Sequence, residues 1–582
     1  MTEFDADVLV LGGGPAGTWA ALAAAAAGAR VIVVDKARCG ASGPTARGGV
    51  TLWNIPPGRS RDAAVAQNYA HGGGLGDPEW MYRVLDETHR RVAQLVQGGF
   101  RFQGEHAARP ARIYLDGARY LGRMRRSLVI AGVRILDHHP VLQLLADSDG
   151  TVSGAAGIAY PPHSGGLREC HTWTARAKAV VLATGGCAFL SGGAGTDVNT
   201  GEGLLMGAEA GADLSGMEFS NAYSLVPAFA AAPARTDRRC DTAAARAGSD
   251  GSMAEQGLAG WTHGGGGPRG RDADGVMAEH GRDAWAGGSA PFAPGQLMHF
   301  ATLYDESREV LFGHGCGSRA QVFTAIADGR RVYAAFDDLP APLRAELVQQ
   351  GGANWSGRVP LRAVLEGTVR GTGGLRLAGP DCATTIPGLY GAGDVTTREP
   401  ITGAVSGFGG QNGAWAISSG VWSGAAAARF AATRRRLGKT RPVRGAGLGD
   451  KARIDPRAIV GLVQEHTLPL RRSYWRSDGS LRDSIAELDG MWPGAEFDLG
   501  GAGAARLRAR QAAALLAVAR WTKYSALART ETRGMHRRTD HPGAANDWRV
   551  RLLSGGVGDV WVRPERLDAT GFDHAVPQAT PA

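Results

Sequence analysis

Asp7-Val-Leu-Val-Leu11 opens on a polar residue and then runs through four apolar ones without alternation. Such a run predicts a strand covered on both faces, as in a parallel sheet. The Ala-rich stretch Thr18–Ala29 predicts a helix, and Val31-Ile-Val-Val34 predicts a second buried strand. The same apolar logic returns at Ala179-Val-Val-Leu-Ala-Thr-Gly-Gly186 and at Ile386-Pro-Gly-Leu-Tyr-Gly-Ala-Gly-Asp394, each closing on a glycine turn. A long helix is predicted over Ala414–Arg429. Residues 215–370 are irregular and rich in Gly, Ala and Arg. Residues 455–540 read mainly as helices, and a short β-like tail, Val560-Trp-Val-Arg563, follows. A strand–helix pattern that stops and resumes predicts one α/β domain, residues 1–214 and 371–435, split by an inserted unit at 215–370. Residues 436–582 then make a helical C-terminal unit with its tail.

Composition narrows the classes. Of 582 residues 43% are hydrophobic, enough for a globular core. The formal charge of +9 would suit nucleic acid, an anionic membrane or an anionic ligand. The basic residues are scattered, however, and the densest run, Arg434–Arg444, reads as a solvated helix end and linker. No nucleic-acid motif accompanies them, so no nucleic-acid partner is expected. Cys39, Cys170, Cys187, Cys240, Cys316 and Cys382 stand singly, without a C-x-x-C. That argues against a zinc or iron–sulfur site held by this chain, and against a disulfide scaffold. No metal is expected. The chain enters a strand without a charged leader or cleavage site, and Trp19–Ala29 is too short to span a bilayer. A cytoplasmic protein without a transmembrane segment is the expectation. No repeat of 20–50 residues occurs, and residues 230–295 have a composition suited to disorder.

The first strand runs into G-x-G-x-x-G, with Gly12, Gly14 and Gly17 in the three places. Gly12 permits a tight turn, Gly14 lets a pyrophosphate approach the backbone, and Gly17 lets helix and strand pack closely. A helix N-terminus there would favour an anion through free N–H groups and its dipole. Asp35 follows Gly17 by 18 residues, where an acid can grip a ribose hydroxyl. Strand, turn, helix, second strand and acid together predict dinucleotide binding. They do not by themselves choose between FAD and NAD.

Further segments make that choice. Ser42–Gly49 is a run of small and hydroxyl residues, and Gly388–Asp394 repeats the strand–glycine theme. With Gly12–Gly17, Ala183–Gly186, Asn199-Thr-Gly-Glu-Gly203, Ala210-Gly-Ala212, Met217-Glu-Phe219, Gly371-Thr-Gly-Gly374 and Glu531-Thr-Arg-Gly-Met-His536, they occur in a familiar order. The chain resembles the flavoprotein family of succinate dehydrogenase, fumarate reductase, L-aspartate oxidase and adenylylsulfate reductase. The resemblance implies a Rossmann-like FAD-binding domain, an inserted α+β capping domain and a C-terminal helical domain. It implies FAD as cofactor. Gly12, Gly14, Pro15, Ala16 and Gly17 would meet its pyrophosphate, and Asp35 with Lys36 its adenosine ribose. Ser42, Thr45, Ala46, Gly48 and Gly49 would run beside the ribityl chain and flavin. Ala183, Thr184 and Gly185 would line the adenosine side, and Gly393 with Asp394 the cofactor's middle. Gln411 and Asn412, opening a helix, would face the flavin pyrimidine ring, where the dipole would stabilise reduced flavin.

Departures from the family carry the functional information. Tyr223-Ser-Leu225 stands where the dicarboxylate enzymes have His-Pro-Thr. The segment Val369-Arg-Gly-Thr-Gly-Gly374 lacks the family's nearby His, and Gly403-Ala-Val-Ser-Gly-Phe-Gly-Gly410 lacks the Arg of G-A-N-R-x-G-G. Two imidazoles and a guanidinium that would clamp a dicarboxylate are missing, so succinate and fumarate are not expected as substrates. Ala41–Gly49 contains no His, which predicts noncovalent FAD. The resemblance offers Arg269 as a proton carrier in the cap, with Tyr223, Glu218, Arg271 and Arg398 as further site candidates. Arg533 and His536 belong to the C-terminal element, where they would act on substrate or simply tie the helical domain to the core. The leading reading is an FAD-dependent oxidoreductase moving a hydride between a small organic substrate and FAD. Oxygen, a quinone or an electron-acceptor protein would take the electrons onward, and an electron-transfer subunit with an iron–sulfur partner is the alternative. A non-redox protein that merely retains FAD is the third.

Overall fold

Val8, Leu9, Val10 and Leu11 are completely enclosed because strand Thr2–Leu11 lies between two parallel neighbours. On one side Val8 pairs with Val31 of strand Val31–Val34, and on the other with Ala179 of strand His171–Leu182. The computed structural model describes residues 2–102, 112–160, 170–228, 301–313, 316–336, 357–406, 410–434 and 437–567. Its largest sheet runs in the order Arg441–Pro442, Val141–Ala146, Val152–Ala159, His171–Leu182, Thr2–Leu11, Val31–Val34, Arg134–Leu136. Strand Leu389–Gly391 adds in parallel against His171–Leu182, pairing Leu389 with Val180. The resumed apolar run thus returns to the sheet it left some 200 residues earlier.

Helix Pro15–Ala26 follows the first strand, and helix Gln411–Thr433 lies across it. Their approach is close: a Cβ on Gly424 would sit 2.0 Å from the Ala20 carbonyl oxygen. Alanines and glycines at this crossing let the two backbones nearly touch. The first helix starts at Pro15, earlier than the apolar pattern suggests, because Pro is preformed for the first helical position. The second likewise starts at Gln411 rather than Ala414.

The inserted unit is an antiparallel six-stranded sheet with order Ala222–Pro227, Val359–Glu366, Val332–Ala335, Thr302–Asp305, Val310–Gly313, Cys316–Gly317. Helix Arg319–Ala327 packs on it and starts with a reciprocal Ser318/Gln321 capping box. Three long helices, Pro456–Thr467, Asp478–Phe497 and Ala504–Ala528, build the C-terminal unit. The β-like tail is longer than the sequence pattern shows. Strands Val550–Gly555 and Trp561–Arg566 form a hairpin that pairs with Leu214–Ser215, which in turn pairs with Gly374–Leu375. One small sheet therefore fastens the tail to the two points where the chain leaves and re-enters the first domain. Arg434 departs from the solvated-linker expectation: its guanidinium pairs with Asp147 and bonds the Lys178 carbonyl at 2.8 Å, closing the rim of the large sheet. Among the described residues, no helix is long and apolar enough to cross a membrane.

Candidate functional site

The glycine turn after the first strand is crowded on one side and open on the other. A Cβ on Gly17 would lie 1.8 Å from the Gly12 carbonyl oxygen, so only glycine fits there. A Cβ on Gly14 would meet nothing within 4 Å. Gly14 is the N-cap of helix Pro15–Ala26, and no side chain caps that end. Amides of the first turn therefore face open space at the positive end of a helix, which suits a phosphate. Gly393, with a positive φ of 71°, brings its own turn to within 2.8 Å of the Ala16 methyl group, counted from the Cβ it lacks. Asp394 thereby stands across from the glycine turn, as the sequence pattern requires.

Asp35 lies at the end of the second strand, enclosed beside the turn. Its Oδ2 accepts the Gly13 N–H at 2.7 Å and its Oδ1 the Ala37 N–H at 2.7 Å. Each oxygen keeps a lone pair for a hydroxyl. Burial raises its pKa, with the Gly13 and Ala37 amides opposing. Lys36 turns away from this carboxylate: its ammonium bonds Glu202 at 2.7 Å and Thr200 at 2.9 Å. Thr184 packs against Gly203, and Gly185, at φ 74°, leaves room for the Asn199 amide. The Asn199 Oδ1 is buried beside this wall with no donor among the described residues. Glu202 and Asn199 are contributors that the motif reading did not single out, although both lie in the quoted Asn199–Gly203 segment.

Ser42 is the N-cap of the short helix Gly43–Gly48, which carries Thr45, Ala46 and Gly48, and Gly49 closes it at φ 68°. Opposite, Gly410 opens helix Gln411–Thr433. Gln411 donates through Nε2 to Asn68 Oδ1 at 2.9 Å, and Asn68 donates to the Ile401 carbonyl at 2.6 Å. The Gln411 Oε1 and the Asn412 Oδ1 are buried and have no donor among the described residues. Two orphaned acceptors at a helix N-terminus fit a ligand that brings N–H or O–H donors. Asn68 had no sequence signal, since nothing local marks a residue 343 positions away as Gln411's support.

The expected substrate-side residues scatter into different roles. Tyr223 is buried in the cap, and its hydroxyl donates to the Leu468 carbonyl at 2.9 Å, with burial pushing its pKa up. Arg398 is fully enclosed: it pairs with Asp394 at 2.6 Å and donates to the carbonyls of Thr368 and Val369 at 2.7 and 3.3 Å, and to that of Gly371. It braces the turn between cap and cofactor segment. Arg533 pairs with Glu531 at 2.6 Å and bonds the Gly73 carbonyl at 2.6 Å. His536 is enclosed, with Nδ1 2.6 Å from Arg476 and Nε2 3.0 Å from the Arg529 carbonyl. Burial and the neighbouring arginines push its pKa far down, so it stays neutral, an acceptor at Nδ1 and a donor at Nε2. Acid–base work is closed to an imidazole so placed; it fastens the C-terminal turn. Glu218 is enclosed beside Arg529. Arg269 and Arg271 lie outside the described residues. Among the described residues, no cluster of His, Cys, Asp or Glu could hold a metal ion.

A mixed sheet whose parallel strands end at an uncapped helix, with a facing glycine turn and a cap, defines a dinucleotide-binding α/β protein with a capping insertion. Residues 7–249 match the family described as FAD binding domain, and residues 501–570 the family described as Fumarate reductase flavoprotein C-term. L-aspartate oxidase of Mycobacterium tuberculosis is 34% identical over 232 residues, 37% of this chain and 42% of that protein. L-aspartate oxidase of Streptomyces coelicolor is 31% identical over 233 residues, 37% of this chain and 39% of that protein. A CoM/CoB fumarate reductase subunit of Methanothermobacter marburgensis is 25% identical over 234 residues, 37% and 41% of the two chains. The aligned stretch thus spans less than half the length of these relatives. Among solved structures, FrdA of E. coli quinol fumarate reductase superposes with a TM-score of 0.71 at 17% identity, covering 98% of each chain. Mycobacterium smegmatis Sdh1 gives 0.71 at 18%, covering 98% and 95%. The chain thus carries an FAD binding domain and a fumarate reductase flavoprotein C-terminal domain, is similar over the first of these to L-aspartate oxidases, and has FAD as its cofactor.

Proposed function

We propose that the protein is an FAD-dependent oxidoreductase acting on a small organic substrate other than succinate or fumarate, with FAD held noncovalently. The observation that carries this is the fate of the three clamp positions. Tyr223 spends its hydroxyl on a helical-domain carbonyl. Val369 is apolar and buried. Ser406, fourth residue of the Gly403–Gly410 element, donates to the Arg370 carbonyl at 2.9 Å. None of the three offers a charge to a second carboxylate.

The open first turn and the orphaned acceptors support the following cofactor-binding roles. Gly12, Gly14, Pro15, Ala16 and Gly17 would present first-turn amides to the pyrophosphate. Asp35 would accept from the ribose, and Ala183, Thr184, Gly185 and Lys36 would wall the adenosine. Ser42, Thr45, Ala46, Gly48 and Gly49 would lie along the ribityl chain, with Gly393 and Asp394 opposite. Gln411 and Asn412 would accept from the pyrimidine ring. Bound FAD would supply two-electron transfer to or from the substrate carbon. Arg398 holds the turn at Thr368–Gly371 that forms the cap-side wall, and the cap would exclude water from the reacting face.

A visible spectrum of the purified protein, followed by acid precipitation, tests the reading. FAD released to the supernatant is expected. A colourless protein that cannot be reconstituted with FAD overturns it. Succinate and fumarate should neither reduce nor reoxidise the flavin; turnover with either would restore the dicarboxylate assignment. A second reading, one component of an electron-transfer complex, rests on the cysteines standing singly along the chain, without a C-x-x-C. Electrons passing beyond the flavin would then need a cluster-bearing partner, and co-purification of a Cys-rich protein would favour it.

A further inference from the structure

Two fully enclosed carboxyl groups meet where the chain enters the cap and re-enters the first domain. Glu218 belongs to the turn Met217–Phe219, and Glu399 opens the short helix Glu399–Thr402. Glu399 lies against the turn that carries Glu218: a Cβ on Gly216 would fall 2.9 Å from Glu399 Cγ and 3.0 Å from its Cδ. Glu218 spends Oε1 on Arg529 at 2.8 Å, and Glu399 accepts the Ser215 hydroxyl through Oε2. One oxygen on each, Glu218 Oε2 and Glu399 Oε1, is left buried with no donor among the described residues. Two ionised carboxylates cannot satisfy each other, since both only accept. A protonated carboxyl has an O–H to give, and one proton between them would satisfy both orphaned oxygens.

Charged groups reach this pair from every element packed on it. Arg529, at the end of helix Ala504–Ala528, has its donors engaged: it bonds Glu218, Glu531 at 3.0 Å, and the carbonyls of Trp548 and Val550 at 2.9 and 2.8 Å. Arg533 is committed to Glu531 at 2.6 Å, and Arg398 to Asp394 at 2.6 Å. Arg476 bonds the Glu218 carbonyl at 2.7 Å, with the neutral His536 behind it. Arg551, on tail strand Val550–Gly555, bonds the Leu75 carbonyl at 3.2 Å rather than either carboxyl. Burial first, and the Glu218 charge second, raise the Glu399 pKa to about 7.

We propose that Glu399 keeps its proton and donates it to Glu218 Oε2, and that this shared proton is a pH-sensitive latch on the base of the tail hairpin. Leu553 and Ser554 of the hairpin pair with Ser215 and Leu214, so Ser215 is at once the hairpin's partner and the donor to Glu399. The hairpin's turn is fastened separately: Trp521 bonds the Gly556 carbonyl at 2.8 Å and Arg520 the Gly558 carbonyl at 2.7 Å. When Glu399 ionises, its proton passes to water. Two enclosed carboxylates then face one cation whose donors are all engaged, and their charge is relieved only by admitting water. The base of the hairpin opens to admit it, while the turn stays tied to helix Ala504–Ala528.

The test is amide hydrogen exchange of the full chain at about pH 6 and about pH 8, corrected for the intrinsic pH dependence of exchange. Opening at residues 214–216 and 550–554 should become about ten-fold more frequent across that interval, as linkage to one proton released near neutrality requires. Residues 556–558 should stay as protected as before. Glu399→Gln, whose amide donates as the protonated acid does, should hold the base closed at both pH values. An infrared difference spectrum between the two pH values supplies a second reading. The parent should lose the C=O stretch of a protonated carboxyl, and Glu399→Gln should lack that loss. Unchanged exchange at the base in the parent, a rise of equal size at base and turn, or the same carboxyl loss in Glu399→Gln overturns the proposal. The exchange comparisons in the parent need no variant, so they decide the matter even if Glu399→Gln fails to fold.

Discussion

Arg529 and Glu218 form an ion pair that is closed to solvent on both sides, with Nη2 2.8 Å from Oε1 and neither side chain exposed. The guanidinium also reaches Glu531 at 3.0 Å and lies over the Phe219 ring at 5.1 Å. It joins the entry to the cap with the C-terminal turn that carries Arg533 and His536. Desolvating these charges is costly, so the cluster holds only while every member is present.

Removing one member should therefore cost far more than a surface pair. Arg529→Met leaves Glu218 and Glu531 enclosed without their cation. A loss of about 3–5 kcal/mol is expected in denaturant unfolding. A loss below about 1 kcal/mol would show that the pair is solvated and that the C-terminal turn is held by other contacts.

Stability should also fall with rising pH near neutrality. Glu399 is fully enclosed, its Oε2 accepts from Ser215, and its Oε1 has no donor among the described residues. Burial first, and the Glu218 charge second, raise its pKa to about 7, against opposing pulls from Arg551, Ser215 and Arg529. The folded protein thus holds this proton more tightly than the unfolded chain. The contribution is complete below the ordinary value of 4.5 and is lost as pH rises through about 7. It is on the order of 3 kcal/mol. Melting temperatures between pH 5.5 and 8 check it: Glu399→Gln should gain on the parent as pH increases, and a constant difference would refute the shift.

Gly14 and Gly17 should fail differently. Gly17→Ala puts a methyl 1.8 Å from a backbone oxygen and should prevent folding of the first domain. Gly14→Val has room in the protein itself and a φ of −76°, which any residue adopts. The apoprotein should keep its melting temperature to within a few degrees, while FAD affinity falls about a hundred-fold through contact with the phosphates. Equal FAD affinity would place the pyrophosphate elsewhere.

Gln411→Leu removes the orphaned Oε1 and the bond to Asn68. If that oxygen accepts from the flavin, loss of about 1 kcal/mol shifts a two-electron potential by on the order of 20–30 mV. A spectroscopic redox titration would detect it, and an unchanged potential would leave Gln411 as a brace for Asn68.

Elements whose cause is local could be read from the residues alone. Unbroken apolar runs at Val8–Leu11, Val31–Val34 and Val180–Leu182 can only be satisfied in a covered sheet. The glycine turn could be placed because Gly12 and Gly17 answer to backbone crowding that the spacing already encodes. Motif order further predicted a return to the first sheet after the insert, and Leu389–Gly391 pairs there with His171–Leu182. Tertiary structure alone decided what each polar group does. That Lys36 meets Glu202, that His536 stays a neutral clasp, and that the Tyr223 hydroxyl is spent on a helical-domain carbonyl all depend on partners far along the chain. The tail hairpin at Val550–Arg566 was half-hidden for the same reason: its place comes from pairing with Leu214–Ser215, and no local pattern encodes a partner more than 330 residues away. Apolar burial follows from a residue's own chemistry and period, whereas charge and hydrogen bonding are settled only by the neighbours that folding supplies.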